Sequence, residues 1–259
     1  MRQYLFCTPD QLNAWVQSKS EDESIIKGDI VRALHPWRDT HVRLLRGRAI
    51  ELADVVATAF INNDHEHWLK LQRFRATNNI SLINRKDLAN FGTPFFLRDL
   101  GAALSAHDGD AAQSIAKATL SEIPAFGRPS PDVDVLEILA SFVDGDVRQA
   151  RRVAMSLKEQ CESRLFGRDI SQRYVFWAEA ALSLCDRDLS LQTSSLQRLT
   201  KHDEHDLGRR FKRARNSEDA SVSLRDFFDD ETSCLVSIML SVGFDCTAAS
   251  PFFDVDWLR

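Results

Sequence analysis

Three short turns containing Asp-x-Asp divide the second half of the chain into segments whose apolar residues have helical spacing. The turns lie in SAHDGDAAQS (105–114), SFVDGDVRQA (141–150) and SLCDRDLSLQ (183–192), 36 and 42 residues apart, and AFINNDHEHW (59–68) has the form of a degenerate earlier copy. Before the first turn, Leu97, Leu100 and Leu104 fall on one helix face. A helix–turn–helix unit repeated at this period is typical of stacked α-hairpins, each of which buries its apolar stripe against the next.

The sequence therefore predicts an all-α protein, a solenoid-like array of stacked antiparallel α-hairpins similar to tetratricopeptide repeats, with about 11–13 helices. Its 10 glycines and 7 prolines in 259 residues are few compared with the roughly 12% of an average domain, which favours long helices over strands and tight turns. We expect residues 1–92 to form an N-terminal helical group that begins with a cap at Thr8-Pro9. Residues 93–259 are predicted to form the hairpins and a C-terminal docking tail, and both parts to share one compact unit.

The Asp-x-Asp turns resemble calcium loops at first sight, but their spacing does not suit that chemistry. An EF-hand loop has Gly at its sixth position and Glu at its twelfth, whereas here Gly stands between the two aspartates and a helix follows at once. Helix capping fits better: Gly ends one helix in the left-handed conformation, Asp caps the next helix, and Gln completes a capping box. The predicted caps are Gly109, Asp110 and Gln113, then Gly145, Asp146 and Gln149, and finally Asp188.

The cysteines and the N-terminus indicate where the protein resides. Five cysteines form an odd set without a CxxC pair, as is typical of free thiols in a reducing compartment. The start, MRQYLFCTPD, lacks the apolar segment of a signal peptide because Asp10 interrupts it. The longest mostly apolar stretch, 234–244, is far shorter than the ~20 residues of a membrane span. We expect a cytoplasmic protein that does not enter membranes.

No motif in the sequence points to catalysis. GxSxG, GxxxxGK[ST], GxGxxG and HExxH are all missing, which excludes the commonest hydrolase, P-loop, dinucleotide and zinc-protease patterns. His202 and His205, with acidic neighbours, form either a metal or acid–base cluster or a solvated turn. The basic cluster 209–215 suits phosphates, but in a chain of net charge −5 a charged surface helix is favoured. We expect no enzymatic activity, no cofactor, no metal ion and no direct nucleic-acid contact.

Glu231 falls on an apolar stripe, which is an unusual place for a carboxylate. Leu224, Phe228, Leu235 and Ile238 define the stripe at helical spacing. Burial of a carboxylate is costly unless the group is paired. We expect either a basic partner from a neighbouring hairpin or a shallow stripe that lets Glu231 reach water. A catalytic role would need a second acid or base, and the sequence pairs none with it.

Two C-terminal segments and a tail pattern carry a family resemblance. The segments are YVFWAEAALSLCDRDLSLQTSSLQRLTKHDEH (174–205) and FFDDETSCLVSIMLSVGFDCTAASPFFDVDWL (227–258), and the tail pattern is Gly243-Phe244, Ser250-Pro251-Phe252-Phe253 and Leu258. Together they resemble the immunity protein 49 family of bacterial polymorphic toxin systems, although Asp254 stands where relatives often have proline. The tail is also similar to that of immunity proteins against secreted DNases. The resemblance implies direct binding and neutralisation of a cognate toxin, without catalysis.

The resemblance also implies that charge contributes to binding. Many such toxins are basic, and an acidic inhibitor is steered toward a basic partner. Two acidic clusters are therefore the predicted toxin contacts: Glu21, Asp22 and Glu23, and Asp226, Asp229 and Asp230. Two alternatives stay open. One is a helical-repeat adaptor or scaffold that binds other cellular proteins on a broad concave surface. The other is an enzyme or nucleic-acid binder that uses His202, His205, Glu231 or the cluster 209–215.

Overall fold

The computed structural model describes residues 2–19, 22–35, 41–78, 93–126, 130–163, 166, 168–216, 222–246 and 248–259. Over these residues the protein is all-helical and has twelve α-helices, which confirms the predicted fold class and helix number. The helices are α1 (Pro9–Lys19), α2 (Glu23–Leu34), α3 (Val42–Ile61), α4 (His65–Asn78), α5 (Thr93–Ser105), α6 (Gly109–Glu122), α7 (Pro131–Asp144), α8 (Val147–Glu162), α9 (Arg168–Asp186), α10 (Leu189–Asn216), α11 (Asp230–Ser241) and α12 (Val255–Leu258). Short 3-10 helices cover Ile123–Phe126 and Leu224–Phe227. None of the described helices is both long and apolar enough to cross a membrane.

From α2 to α10, each helix packs against the next one along the chain. The pairs α5–α6, α7–α8 and α9–α10 are the three predicted hairpins. Helix α11 departs from this succession, because it contacts α5, α7 and α9, the first helix of each hairpin. All its side chains from Thr232 to Met239 are buried. The chain itself thus covers the face that the first helices form, where the sequence predicted a broad concave surface.

Four corners between helices share one local design. A residue with positive φ ends the first helix, and an aspartate directly after it caps the next. At Gly145, where φ is 86°, the amide of Asp146 donates to the carbonyl of Ser141 at 2.9 Å, the bond that defines a Schellman motif. The Asp146 carboxylate then accepts from the amide of Gln149 at 2.9 Å. The corners are Asn63-Asp64, His107-Asp108, Gly145-Asp146 and Arg187-Asp188, so the predicted roles of Gly145, Asp146 and Asp188 and the earlier copy in 59–68 are confirmed.

At the second of these corners, the prediction of Gly109 and Asp110 as caps is wrong by two residues. His107 takes the left-handed conformation, with φ of 56°, and Asp108 caps α6 by accepting from the amide of Ala111. Gly109 and Asp110 both lie inside the first turn of α6. Backbone bonds fix the corner at this position, because the amide of Asp108 donates to the carbonyl of Ala103 at 2.9 Å and the amide of Ala112 donates to the carbonyl of Asp108 at 2.9 Å. The corner keeps this position although a left-handed residue other than glycine costs roughly 1–2 kcal/mol.

The predicted capping boxes at the two glutamines are also wrong. The Asp146 amide already donates within the Schellman motif, so Gln149 has no cap amide to accept from and donates to a carboxylate of α7 instead. The side-chain amide of Gln113 donates to the carboxylate of Asp144, beside the next corner, at 2.7 Å. A reciprocal box occurs where α1 begins, because Thr8 and Gln11 exchange bonds of 3.2 and 3.3 Å. The predicted cap before Pro9 is therefore confirmed.

The two ends of the chain meet on α3 and α4. Arg2 donates from Nη2 to Asp254 at 2.8 Å, and its guanidinium carbon lies 3.8 Å from the ring centre of Phe60 and 4.6 Å from that of Trp257. Asp254 also caps α12 by accepting from the amide of Asp256. Phe252 and its neighbour are buried, so the tail docks onto the body of its own chain.

A single cluster of buried apolar side chains extends from the N-terminal segment to the tail. Helix α4 packs on α5, and α3 packs on the 3-10 helix 224–227, so both predicted parts contribute to it. The predicted boundary between them, residue 92, lies outside the described residues, and the division stays a prediction. The five cysteines are free thiols.

Candidate functional site

A cleft of about 680 Å³ opens between α5, the start of α7, α9, α10 and the segment 224–231. This volume lies in the ordinary range of ligand sites, roughly 300–1,000 Å³. Carboxylates outnumber arginines seven to four in its lining. The carboxylates are Asp132, Asp203, Asp206, Asp226, Asp229, Asp230 and Glu231, and the arginines are Arg98, Arg173, Arg210 and Arg225. We call this region the charged cleft.

Arg173, on α9, is the centre of one wall. Its Nε donates to Asp203 at 3.2 Å, its Nη2 to Asp229 at 3.1 Å, and its Nη1 to Glu231. The four side chains are 10–21% exposed. The predicted basic partner of Glu231 from a neighbouring hairpin is therefore confirmed. One guanidinium serves three carboxylates, so this buried group carries an excess of negative charge.

The charge imbalance is reflected in the acid–base properties of the wall. Burial, opposed by Arg173 and reinforced by Asp229, raises the pKa of Glu231 to about 7. Burial raises the pKa of Asp229 as well. Although burial disfavours the charged form of Arg173, the three carboxylates hold its pKa well above the usual value. The wall thus contains a permanent cation and a carboxylate that titrates near neutral pH.

Tyr174 connects two carboxylates that come from different helices. Its hydroxyl donates to Oδ1 of Asp132, at the start of α7, at 2.6 Å, and lies 3.4 Å from Oε1 of Glu231, on α11. The two carboxylate oxygens are consequently at most about 6 Å apart, and a hydroxyl offers a single proton between them. Burial is the main cause that raises the pKa of Tyr174, so the hydroxyl stays protonated and remains a donor.

A second part of the lining, around Asp230, is richer in cations. Asp230 forms ion pairs with Arg75 at 3.6 Å and with Arg98 at 3.5 Å. Burial lowers the pKa of Arg98. Asp226 binds the amide of its own 3-10 helix cap at 2.8 Å and Arg210 at 3.3 Å. The charged cleft therefore has a negative wall around Arg173 and a more nearly neutral wall around Asp230.

The first predicted contact cluster lies away from the cleft. Glu21 is outside the described residues. Asp22 caps α2 by accepting from the amides of the next turn. Glu23 forms an ion pair with Lys27 at 2.6 Å and lies 2.7 Å from Nε2 of His67. These carboxylates have intramolecular roles, and toxin binding by them stays a prediction.

The second predicted cluster lines the cleft in full. Asp226, Asp229 and Asp230 are joined there by Glu231 and by His202, which the sequence singled out separately. Asp229 also caps α11. These carboxylates are tied into ion pairs with arginines, so they shape the wall as well as its charge. Their part in partner binding stays a prediction.

The alternative chemical clusters have structural partners. His202 lies 3.2 Å from Asp203 through Nδ1, and His205 is exposed. In the basic cluster 209–215, Phe211 is buried and Arg210 pairs with Asp206 at 3.0 Å. Across the residues that the structure describes, no group of three or more His, Cys, Asp or Glu side chains is placed to hold a metal ion.

Sequence reasoning missed Arg173, although a usable signal was present. Arg173 precedes Trp177 by four residues, and Trp177, Ala181 and Leu184 are all buried. A cation at this helical spacing falls on the buried face, by the same argument that singled out Glu231. The two anomalies, one cation and one anion on apolar stripes, are each other's partners.

Comparisons with protein-family models, with curated proteins and with solved structures return no match for this chain. The charged cleft and the tail pattern therefore carry the functional argument.

Proposed function

We propose that this protein is an immunity protein that binds a cognate secreted bacterial toxin in the cytoplasm and neutralises it by direct contact. It acts in this proposal as a stoichiometric inhibitor, without catalysis and without a cofactor. The observation that carries the proposal is the charged cleft, whose carboxylates outnumber its arginines seven to four in a chain of net charge −5. The tail pattern, which resembles that of immunity proteins, supports it.

The cleft has the properties of a contact surface for a basic protein. Asp132 is exposed at its edge, Asp206 is 33% exposed, and the apolar side chain of Ile170 is 53% exposed beside them. An acidic rim raises the association rate with a basic partner, and apolar contacts inside the rim slow dissociation. A toxin that acts on nucleic acid presents basic residues at its own active surface, which this cleft would cover.

The adaptor alternative has less support. Helical-repeat adaptors bind partners on the extended surface that their stacked helices expose. In this protein α11 occupies the face that the first helices of the three hairpins form. A chain that fills this face with its own buried helix is better suited to a single partner bound elsewhere than to a series of peptides.

Co-expression with a candidate toxin tests the proposal. The candidates are the toxic C-terminal domains of large secreted proteins encoded directly upstream. The expected result is that this chain rescues growth, that an unrelated helical protein does not, and that the purified pair binds with a Kd of about 1 nM or below. A toxin that kills equally with and without the chain, and forms no complex with it, refutes the proposal for that toxin; failure with every neighbouring toxin refutes it altogether.

A further inference from the structure

We propose that the charged cleft receives an arginine side chain of the partner, whose guanidinium bridges Asp132 and Glu231 beside Tyr174. This inference rests on the proposed function for the identity of the partner, but the binding chemistry belongs to the cleft alone. The two carboxylates come from the start of α7 and from α11 and meet at one hydroxyl.

The first argument is the number of donors. The Tyr174 hydroxyl has one proton and donates a hydrogen bond through it to Asp132 at 2.6 Å, so its contact with Oε1 of Glu231, at 3.4 Å, is long and weak. Arg173 uses Nη1 for the other oxygen of Glu231 and its remaining nitrogens for two more carboxylates. A second guanidinium would supply donors to both sides of the hydroxyl and offset the negative charge that Arg173 leaves.

The second argument is shape. The carboxylate oxygens of Asp132 and Glu231 are at most about 6 Å apart, a span that suits the planar fork of arginine, which presents five donors in fixed directions. A lysine ammonium is a compact, strongly hydrated point charge. It would pair with one carboxylate and leave the other with only the weak hydrogen bond that the Tyr174 hydroxyl can offer.

The third argument is the approach to the pair. Pro131, Ile170 and Phe166 line the cleft beside the two carboxylates, and Ile170 is 53% exposed. The methylene groups of an arginine stem are apolar and lie along such surfaces while the charged head enters the polar site. Partner arginines bound in this way are frequent among the residues that dominate interface affinity.

The test is a titration by two-dimensional NMR at pH 8 and constant ionic strength, where Glu231 is ionised. The probe is Nα-acetyl-L-arginine amide. The corresponding citrulline derivative has the same shape without the charge, and the lysine derivative has the charge without the fork. We expect saturable shifts of amide signals in α9 and α11, with a Kd for arginine at least tenfold lower than for either control.

Variants locate the site. Asp132→Asn and Glu231→Gln should each weaken arginine binding about tenfold or more. Because Asp132→Asn leaves the three ion pairs of Arg173 in place, this variant remains informative if Glu231→Gln folds poorly. Glu66→Gln, which removes a carboxylate 82% exposed on α4, should bind as the wild type does. Equal binding of arginine and citrulline, or unchanged binding in Asp132→Asn, overturns the inference.

The outcome is separable from that of the proposed function. If the chain neutralises a toxin but its cleft shows no preference for arginine, the immunity function stands and this inference is wrong. If arginine binds as described but no neighbouring toxin is neutralised, the cleft chemistry stands and the immunity function is wrong.

Discussion

Replacement of Arg173 by methionine should destabilise the protein more than any loss of a surface ion pair. Methionine keeps much of the volume and the helix propensity of arginine but removes the guanidinium that Asp203, Asp229 and Glu231 share. These groups are 10–21% exposed, so water replaces the lost partner poorly. Removal of one partner from a buried ionic group costs about 3–5 kcal/mol, and we expect a loss in that range at pH 8.

The loss should shrink in acid. In the wild type the pKa of Glu231 is about 7, above its ordinary 4.5, and loss of Arg173 raises it further. A carboxyl whose folded-state pKa is raised contributes stability at low pH that disappears as pH rises through that pKa. At pH 5.5 Glu231 is protonated in the folded variant and in the wild type, so the difference between them should fall by about 1 kcal/mol or more.

Urea denaturation at pH 8 and pH 5.5 measures both effects, with free energies of unfolding from the midpoint and slope. Arg151→Met is the matched control, because Arg151 pairs with Asp186 at 3.2 Å with both side chains about half exposed, and such pairs contribute about 0–1 kcal/mol. The reasoning is refuted if Arg173→Met costs no more than Arg151→Met at pH 8. It is equally refuted if the cost is the same at both pH values.

Two further predictions concern the corners and α7. Gly145→Ala should cost about 1 kcal/mol because φ is 86° there, whereas Gly109→Ala, inside α6 with open space around it, should gain up to about 1 kcal/mol. In thermal unfolding, a lower midpoint for Gly145→Ala and a higher one for Gly109→Ala would confirm the corrected corner. A lower midpoint for both would contradict it. Burial and then Glu137 raise the pKa of Asp134 to about 6 from an ordinary 3.8, so its contribution to stability is lost as pH rises through 6. A rise of about two pKa units corresponds to about 3 kcal/mol, and partial exposure to solvent reduces this, so Asp134→Asn should gain about 1–2 kcal/mol at pH 8. Urea titrations should show no gain at pH 3.5, and an equal gain at both pH values would argue against a titrating Asp134.

The sequence predicts the all-α fold because the signals for helices and corners are local. Apolar spacing of 3.6 residues, a left-handed residue and a capping aspartate all act within a few positions of one another. The residue at which each helix begins or ends is determined less locally. At the corner of His107 and Asp108, the left-handed conformation falls on His107 and the nearby Gly109 lies inside α6, against the local preference for glycine in that conformation.

The charged cleft is beyond local reasoning for the same cause. Arg173 meets residues 56 and 58 positions further on, and Tyr174 meets one 42 positions before it. Sequence patterns identify individual anomalies, such as Glu231 on an apolar stripe, but which anomalies neutralise one another depends on how α11 lies across α5, α7 and α9. The position of α11 is a tertiary property, and the hairpin period in the sequence does not predict it.

The positions of the acidic residues also determine how electrostatic steering must be measured. Reversal of Asp229 would remove the cap of α11 and one partner of Arg173 together, so a slower association would reflect a damaged fold as much as a changed field. Asp206 is a cleaner site, because it is 33% exposed and pairs with arginines of its own helix. Fields act over a Debye length of about 10 Å at 0.1 M salt, so a rim charge influences encounter without a direct contact. If the cleft steers the toxin, Asp206→Asn should slow association at low salt and leave dissociation unchanged, whereas Glu66→Gln, with the same loss of charge on α4, should slow neither.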